Sequence, residues 1–406
     1  MTFGCRGCGS KKVRMFLDLG DQPHCNRLVP PAAAGRQEPT FPLRVFFCDS
    51  CTLVQIDHTI PKENMFSEYP YISGTTTTLV SHFRESAHRL AKLYCSQPNS
   101  LVVDIGSNDG TWLSHYQPLG MRVLGVDPAA NVVELALAKG VPTWPRFFDE
   151  VTADEIIDRQ GRPSLVTAAG VFFHLEELHS VVRGIKKLIA DEGVFVVQAI
   201  YLGGMLDNVA FDQVYHEHLV YYTLRSLSAL LGQFDLEIFD VSLVPIHGGT
   251  LEAHVAAKGR RAVQKSVREL EALEAQKRYG EFATYEAFVG RVFALKEALV
   301  AQLEQYRQSG KTVYALGAPA KGATLLNSFS IGPNLVEKAT ERNPMKVGYL
   351  MPGSHIPIVD EDGAAPDAYL VLAWNFIDEI ASRQRAFLEG GGELVVPIPE
   401  LRIIKA

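Results

Sequence analysis

The chain predicts an α/β protein built from three parts, and three observations carry that prediction. Two C-x-x-C pairs, Cys5/Cys8 and Cys48/Cys51, occupy the first stretch. Short apolar runs then alternate with helical stretches around a glycine-bearing turn at Gly106-Ser107-Asn108-Asp109-Gly110. A second strand, glycine turn and helix begins at Thr312. The expected division is a small N-terminal metal-binding domain over 1–68, a central α/β domain over 69–240 and a C-terminal α/β domain over 241–406. A chain of 406 residues is too long for one core, which agrees with such a division.

The cysteine pairs come first. Each spacing lets two thiolates hold one ion, and Gly9 permits the tight turn that points backbone N–H groups at sulfur. The gap between the pairs is long enough for small strands, which Phe16-Leu17-Asp18-Leu19 and Phe41 to Phe47 fit. Cys5, Cys8, Cys48 and Cys51 therefore read as a closed structural zinc site with no open position for catalysis. The competing reading is a redox dithiol, which usually sits at a helix start after a strand. Cys25 and Cys95 are left over and read as small buried apolar groups.

In the middle segment, Leu101-Val102-Val103-Asp104-Ile105 is an apolar run bounded by turn formers, as expected of a buried parallel strand. A helix from Thr111, a strand Met121 to Val126 ending at Asp127, and a helix from about Asn131 to Lys139 complete a β-α-β unit. Ligands of such sheets bind beyond the carboxyl ends of the strands, where an end-of-strand carboxylate takes a ribose diol. The spacing Gly106-x-x-x-Gly110 departs from the G-x-G-x-x-G of dinucleotide sites. The Asp104 and Asp109 carboxylates around it, with Asn108 between them, would repel a pyrophosphate and suit a cationic ligand. S-adenosylmethionine (SAM), a sulfonium, fits Asp104, Gly106, Asn108, Asp109, Gly110 and Asp127 better than NAD does. His174 follows a third strand, Ser164 to Ala169, at the mouth of the sheet.

Phe211 to Tyr222 holds the densest supply of proton-moving groups: Tyr215, His216, Glu217, His218, Tyr221 and Tyr222. After it, Ala262 to Gln308 reads as one or two long bracing helices. The strand Thr312 to Gly317 then opens onto Gly317-Ala318-Pro319-Ala320-Lys321-Gly322, a turn whose N–H groups and lysine suit phosphate. Trp374-Asn375 closes a later strand. His247, Lys321 and Asn375 are the expected contacts to a nucleotide there.

Bulk properties exclude several classes. A net charge of -7 argues against general nucleic-acid binding. The apolar runs are too short for a membrane span, and no apolar signal region opens the sequence. Paired cysteines without a disulfide framework fit a reducing cytoplasm.

Taken together the motifs resemble one family: the SAM-dependent C-methyltransferases of nucleotide-linked keto-deoxysugars, as in antibiotic sugar pathways. The resemblance is carried by the four cysteines with Leu19-Gly20-Asp21-Gln22-Pro23, then Tyr69-Pro70-Tyr71, then Asp104 to Gly110. Tyr215-His216-Glu217-His218, His247-Gly248-Gly249-Thr250, Gly317 to Gly322 and Pro352-Gly353-Ser354-His355-Ile356-Pro357 follow in the family's order. It implies a Rossmann-like SAM methyltransferase core flanked by the zinc domain and the C-terminal α/β domain. By motif, Tyr71 (or Tyr69), His174, Tyr215, Glu217 and His218 are the implied catalytic groups. Tyr69, His247, Lys321 and Asn375 are the expected substrate contacts.

The implied substrate is a nucleotide-diphosphate 4-keto-deoxysugar, with TDP favoured as the nucleotide. Methylation is expected beside the keto group, C3 before C5, by a cytoplasmic monomer or weak dimer. His218 is the expected base, with Glu217 orienting the cluster. Two details depart from the family's pattern: His24-Cys25-Asn26 stands where Leu-Ala-Asn is expected, and Gln198 ends a strand where an acidic residue is common. Alternatives are an O-methyltransferase acting on a sugar or small natural product, and a non-catalytic zinc-containing scaffold with the SAM fold.

Overall fold

In the computed structural model, which describes residues 3–66, 69, 71–246 and 248–406, three sheets follow one another along the chain. The first is antiparallel: β1 (Val13–Pro23), β2 (Thr40–Cys48) and β3 (Val54–Ile56). Leu43, Val45 and Phe47 alternate along β2 and are buried, the period of two that a one-sided sheet requires. A distant segment, Val220–Tyr221, completes this sheet by pairing Tyr221 with Val54.

The central sheet contains β4 (Leu101–Ile105), β5 (Arg122–Asp127), β6 (Thr143–Pro145), β7 (Leu165–Ala169) and β8 (Val194–Ile200), all mutually parallel. With Val220–Tyr221 as β9, the chain then forms the hairpin β10 (Leu236–Val244) and β11 (Thr250–Ala257). That hairpin joins antiparallel to β8, giving the order β10-β11-β8-β7-β4-β5-β6. Every residue of β4 and β8 is buried, because helices cover both faces of a parallel sheet. The helix Leu178–Ile189 is one such cover. It buries Leu178, Val181, Val182, Ile185, Leu188 and Ile189, a single apolar face. The expected boundary at 240/241 falls inside β10, so the central sheet extends to Ala257.

Two helices, Lys265–Gln276 and Phe282–Gln308, occupy the expected bracing stretch. The second is solvated on one side only. Tyr285, Phe288, Val292, Leu295, Leu299, Leu303 and Tyr306 recur at three- and four-residue steps and are buried. Full burial of each phenylalanine, valine or leucine among them is worth about 1.5–3 kcal/mol. Its first turns meet the N-terminal sheet, with the Tyr285 ring 5.0 Å from Phe16 and 4.8 Å from Phe47. Its last turn reaches the C-terminal sheet, where the Tyr306 hydroxyl bonds Glu393.

The C-terminal sheet runs β14 (Ile358–Asp360), β13 (Lys338–Glu341), β12 (Val313–Leu316), β15 (Ala368–Val371) and β16 (Glu393–Val396), parallel throughout, with β17 (Arg402–Ile404) antiparallel at one edge. Among the described residues no helix is long and apolar enough to cross a membrane.

Candidate active site

In both parallel sheets the chain leaves its first strand in one direction and later returns on the other side. The central sheet reverses between β4 and β7, and the C-terminal sheet between β12 and β15. Such reversals open a crevice at the carboxyl ends of the strands. One cavity of about 380 Å³ joins the two crevices. It is lined by Gly106, Asn108, Asp127, Gly170 and Val171 on one side and by Pro319, Lys321 and Asn375 on the other.

On the central side the backbone is forced by local chemistry. Gly106 has φ +70, and a Cβ there would lie 2.8 Å from Val171 Cγ2. Asn108 adopts φ 50, which asparagine tolerates. The Asp127 carboxylate ends β5 and accepts the N–H of Asn108 at 2.8 Å and of Ala129 at 2.9 Å. Burial raises its pKa, and those two N–H groups hold it back. Pro128, Phe147, Phe148 and Phe173 add apolar wall. This lining fits SAM: a carboxylate at a strand end, a glycine turn, and aromatic surface for a ring.

Gly106, Asn108 and Asp127 line the cavity; Asp104, Asp109 and Gly110 do not. Asp104 lies behind the turn, takes the Thr167 hydroxyl at 2.7 Å, and is pushed up to about 7 by burial. Asp109 is occupied by the Lys139 ammonium, the Thr111 hydroxyl and the Gly74 N–H. Gly110, at φ +71, packs against Val141 where the helix Thr111–Ser114 starts. These three hold the turn in shape.

The segment Phe211 to Tyr222 runs between the zinc-domain sheet and the central sheet. Leu219 donates its N–H to Phe173 and accepts from Ile56, and Tyr222 bonds the Phe172 carbonyl through its hydroxyl. Thr223 then caps the helix Leu224–Gly232 in a reciprocal box with Ser226, which ends the segment firmly.

Within the segment, His218 is 4% exposed and its Nδ1 lies 2.8 Å from the Gln213 carbonyl. A carbonyl can only accept, so Nδ1 carries the proton and Nε2 is the basic nitrogen. The His218 ring lies 3.8 Å from the Tyr215 ring and 5.1 Å from that of His174, centroid to centroid. Burial holds the Tyr215 phenol well above its usual pKa, so it stays protonated and able to donate. His174 is fixed by its Nδ1 to the Glu217 carbonyl at 2.6 Å, and burial lowers its pKa. Tyr215, His174 and His218 all line the cavity.

Glu217 does not line it. Its carboxylate turns away to Tyr69, whose hydroxyl donates to Oε2 at 3.1 Å, and to Asn26, whose Nδ2 donates to Oε1 at 2.6 Å. His24 Nε2 lies 3.2 Å from Oε1, close enough for an ionic contact but misaligned for a hydrogen bond. Burial pushes Glu217 up, yet His24, His174 and Asn26 outweigh it and leave its pKa below the usual value. Of the two Y-x-Y phenols, Tyr69 meets Glu217; Tyr71 is 40% exposed at the cavity wall. His24, which departs from the family's pattern, and Asn26, which keeps it, are thus partners of Glu217.

His216, the other imidazole of the run, faces the zinc domain. Its Nε2 lies 3.2 Å from the Pro42 carbonyl, and burial lowers its pKa to about 4. On the C-terminal side, Lys321 pairs with Asn375, and its Nζ sits 4.2 Å over the Trp374 ring. Burial lowers Lys321 to about 8, partly offset by Asp212. His247 lies outside the described residues. Sequence reasoning named no role for Phe147, Gln213 and Thr250 on the cavity wall; Gln213 and Thr250 lie inside the runs it singled out, whereas Phe147 carries no motif that would reveal it.

The four cysteine sulfurs lie within 4.8 Å of one another. Cys5–Cys51 at 3.5 Å and Cys8–Cys48 at 3.7 Å approach the roughly 3.8 Å edge of a tetrahedral zinc–sulfur site. The knuckle is tied to the central domain, since His179 and Gln233 both donate to the Gly7 carbonyl. Cys25 and Cys95 are buried away from it.

Residues 5–66, 80–241 and 245–399 match family profiles described as a zinc binding domain, a methyltransferase domain and a C-methyltransferase C-terminal domain. The C-methyltransferase NovU of Streptomyces niveus is 34% identical over 406 residues, covering 99% of this chain and 97% of its own. Among solved structures, the CcbJ methyltransferase of Streptomyces caelestis matches at 16% identity and a TM-score of 0.34, covering 48% of this chain and 96% of its own.

Proposed function

Because the chain belongs to the SAM-dependent C-methyltransferase family, we propose that its substrate is a nucleotide-diphosphate-linked 4-keto-deoxysugar. Methylation falls on the carbon beside the keto group, C3 favoured over C5, with TDP favoured as the nucleotide and the cytoplasm as the compartment. The observation that supports this reading most is the single cavity that joins the two crevices, with His218 on its wall between them. One crevice suits the sulfonium cofactor; the other offers a half-buried ammonium, Lys321, and an amide, Asn375, to a diphosphate.

Carbon attacks only after a neighbouring carbonyl has let a proton leave. His218 Nε2 takes that proton, and its Nδ1–H bond to Gln213 fixes the tautomer that can do so. The neutral Tyr215 phenol donates to the oxygen on which charge develops. His174, kept neutral by burial, completes the polar wall beside the base. Glu217 stays ionised and anchors Tyr69, while its carbonyl holds His174. Phe66, Phe147 and Phe173 keep water from the site. SAM, when bound, supplies the electrophilic methyl. A base in such a role is worth roughly 10²–10⁴-fold in rate.

The test is product analysis with carbon-13-methyl SAM and a panel of TDP-, GDP- and CDP-linked 4-keto-6-deoxysugars. A new C–CH₃ resonance beside the carbonyl supports the reading. A methyl ether, or no turnover with any panel member, contradicts it.

A further inference from the structure

Asp212 is wholly buried, does not line the cavity, and has no part in proton transfer or substrate holding as described above. Its Oδ2 accepts a hydrogen bond from Trp374 Nε1 at 2.7 Å, across 162 positions of chain. Among the described residues its Oδ1 has no hydrogen-bond partner. A buried carboxylate with an open oxygen is a costly arrangement, so what this one holds matters.

On one side it holds the C-terminal crevice. Trp374 opens the turn after β15, and the Lys321 ammonium lies over its ring. On the other side it holds the base. Asp212 precedes Gln213, the residue whose carbonyl takes the Nδ1–H of His218. The neighbours of Asp212 are gripped from the same domain. Thr324 Oγ1 donates to the Val214 carbonyl at 3.0 Å, and Phe329 stacks on Phe211 at 4.8 Å. Thr324 lies in the helix Ala320–Ser328 and Phe329 caps its end, the same helix that carries Lys321. One helix and one turn of the C-terminal crevice therefore clasp residues 211–214.

We propose that Asp212 is a positioning residue: through Trp374 and Gln213 it registers the His218 imidazole against the C-terminal crevice. A group seated beside Lys321 then meets a base whose place and tautomer are set by the same domain that binds it. The inference rests on His218 being the base.

The test compares Trp374→Phe, Asp212→Ala, Asp212→Asn and the double variant, each checked for folding by its thermal melt and for SAM binding by calorimetry. The rate probe is solvent deuterium uptake into TDP-4-keto-6-deoxyglucose. Losing the link should lower kcat about 10-fold or more while KM moves by less than about threefold, and the double variant should be no slower than either single one. Asp212→Asn keeps an acceptor for Trp374 and should restore most of the rate. Imidazole nitrogen NMR supplies a readout that needs no substrate: in Trp374→Phe, His218 should pass from one tautomer to a mixture.

An unchanged kcat in folded Trp374→Phe, an unmoved His218 tautomer, or multiplying effects in the double variant would overturn the link. Should Asp212→Ala fail to fold, Trp374→Phe decides alone. Full uptake by His218→Ala would instead defeat the base assignment. No uptake by the natural enzyme would defeat the substrate reading, leaving the tautomer measurement to judge Asp212.

Discussion

Tyr69 donates its hydroxyl to the Glu217 carboxylate at 3.1 Å although 148 positions separate them. The bond ties two parts of the cavity wall together, since Tyr69 and His174 both line the cavity and the Glu217 carbonyl also holds His174. A hydrogen bond to a charged group contributes about 1.5–3 kcal/mol, or roughly 10- to 100-fold if it acts on the transition state. Tyr69→Phe and Glu217→Gln should each lower kcat within that range while leaving SAM affinity unchanged. Steady-state kinetics beside calorimetric titration checks this; a matching loss of SAM binding would show that the pair serves the cofactor instead.

Gly106 should tolerate no side chain. Alanine there would combine a φ of +70 with a 2.8 Å approach to Val171, on the wall of the central sheet's crevice, the proposed cofactor site. Gly120, at φ +80 with nothing within 4 Å, is the control, since it meets strain without a clash. We expect Gly120→Ala to cost about 1–2 kcal/mol of stability and no SAM affinity. Gly106→Ala should weaken SAM binding by about 10-fold or more. Equal SAM affinities in the two variants would count against the crevice as the cofactor site.

Acid stability should depend on Glu252, fully buried on β11. Burial pushes its pKa up, but His254, Arg89 and Gln198 outweigh that and hold it at about 2, against the usual 4.5. A folded-state pKa below the unfolded one means the native state binds the proton less readily. The stabilisation is therefore complete above pH 4.5 and is lost as pH falls toward about 2. Urea midpoints measured across that window should fall steeply for the natural chain and more shallowly for Glu252→Gln; parallel curves would contradict the assignment.

Cys48→Ser should release the zinc and lower the melting temperature. It should also slow the chemistry of the folded remainder, because β3, which follows the Cys48–Cys51 turn, pairs with β9 at the end of the segment that carries His218. Metal content, melting and turnover measured on one preparation check all three. Zinc loss with full turnover would show that the two sheets are mechanically independent.

What could be read from the sequence was what is local. The mostly apolar β4, the glycine turn at Gly106, the paired cysteines and the crowded run at Tyr215 to His218 each declare themselves within a few residues, because strand period, turn chemistry and ligand spacing are short-range. Facing directions were harder. Asp109 looks like a cofactor contact until Lys139, some thirty positions on, is seen to hold it. Glu217 looks like a partner of His218, yet its carboxylate belongs to Tyr69, Asn26 and His24. The hairpin β10–β11 joins the central sheet by pairing with β8, a register that no local pattern encodes.

The central claim is that His218 removes a proton from the carbon that becomes methylated. Deuterium uptake into a 4-keto sugar nucleotide, followed without SAM in the natural enzyme and in His218→Ala, tests it most directly. The account predicts uptake by the first and its loss by about 10²-fold or more in the second, with SAM affinity retained. Undiminished uptake by His218→Ala would contradict it.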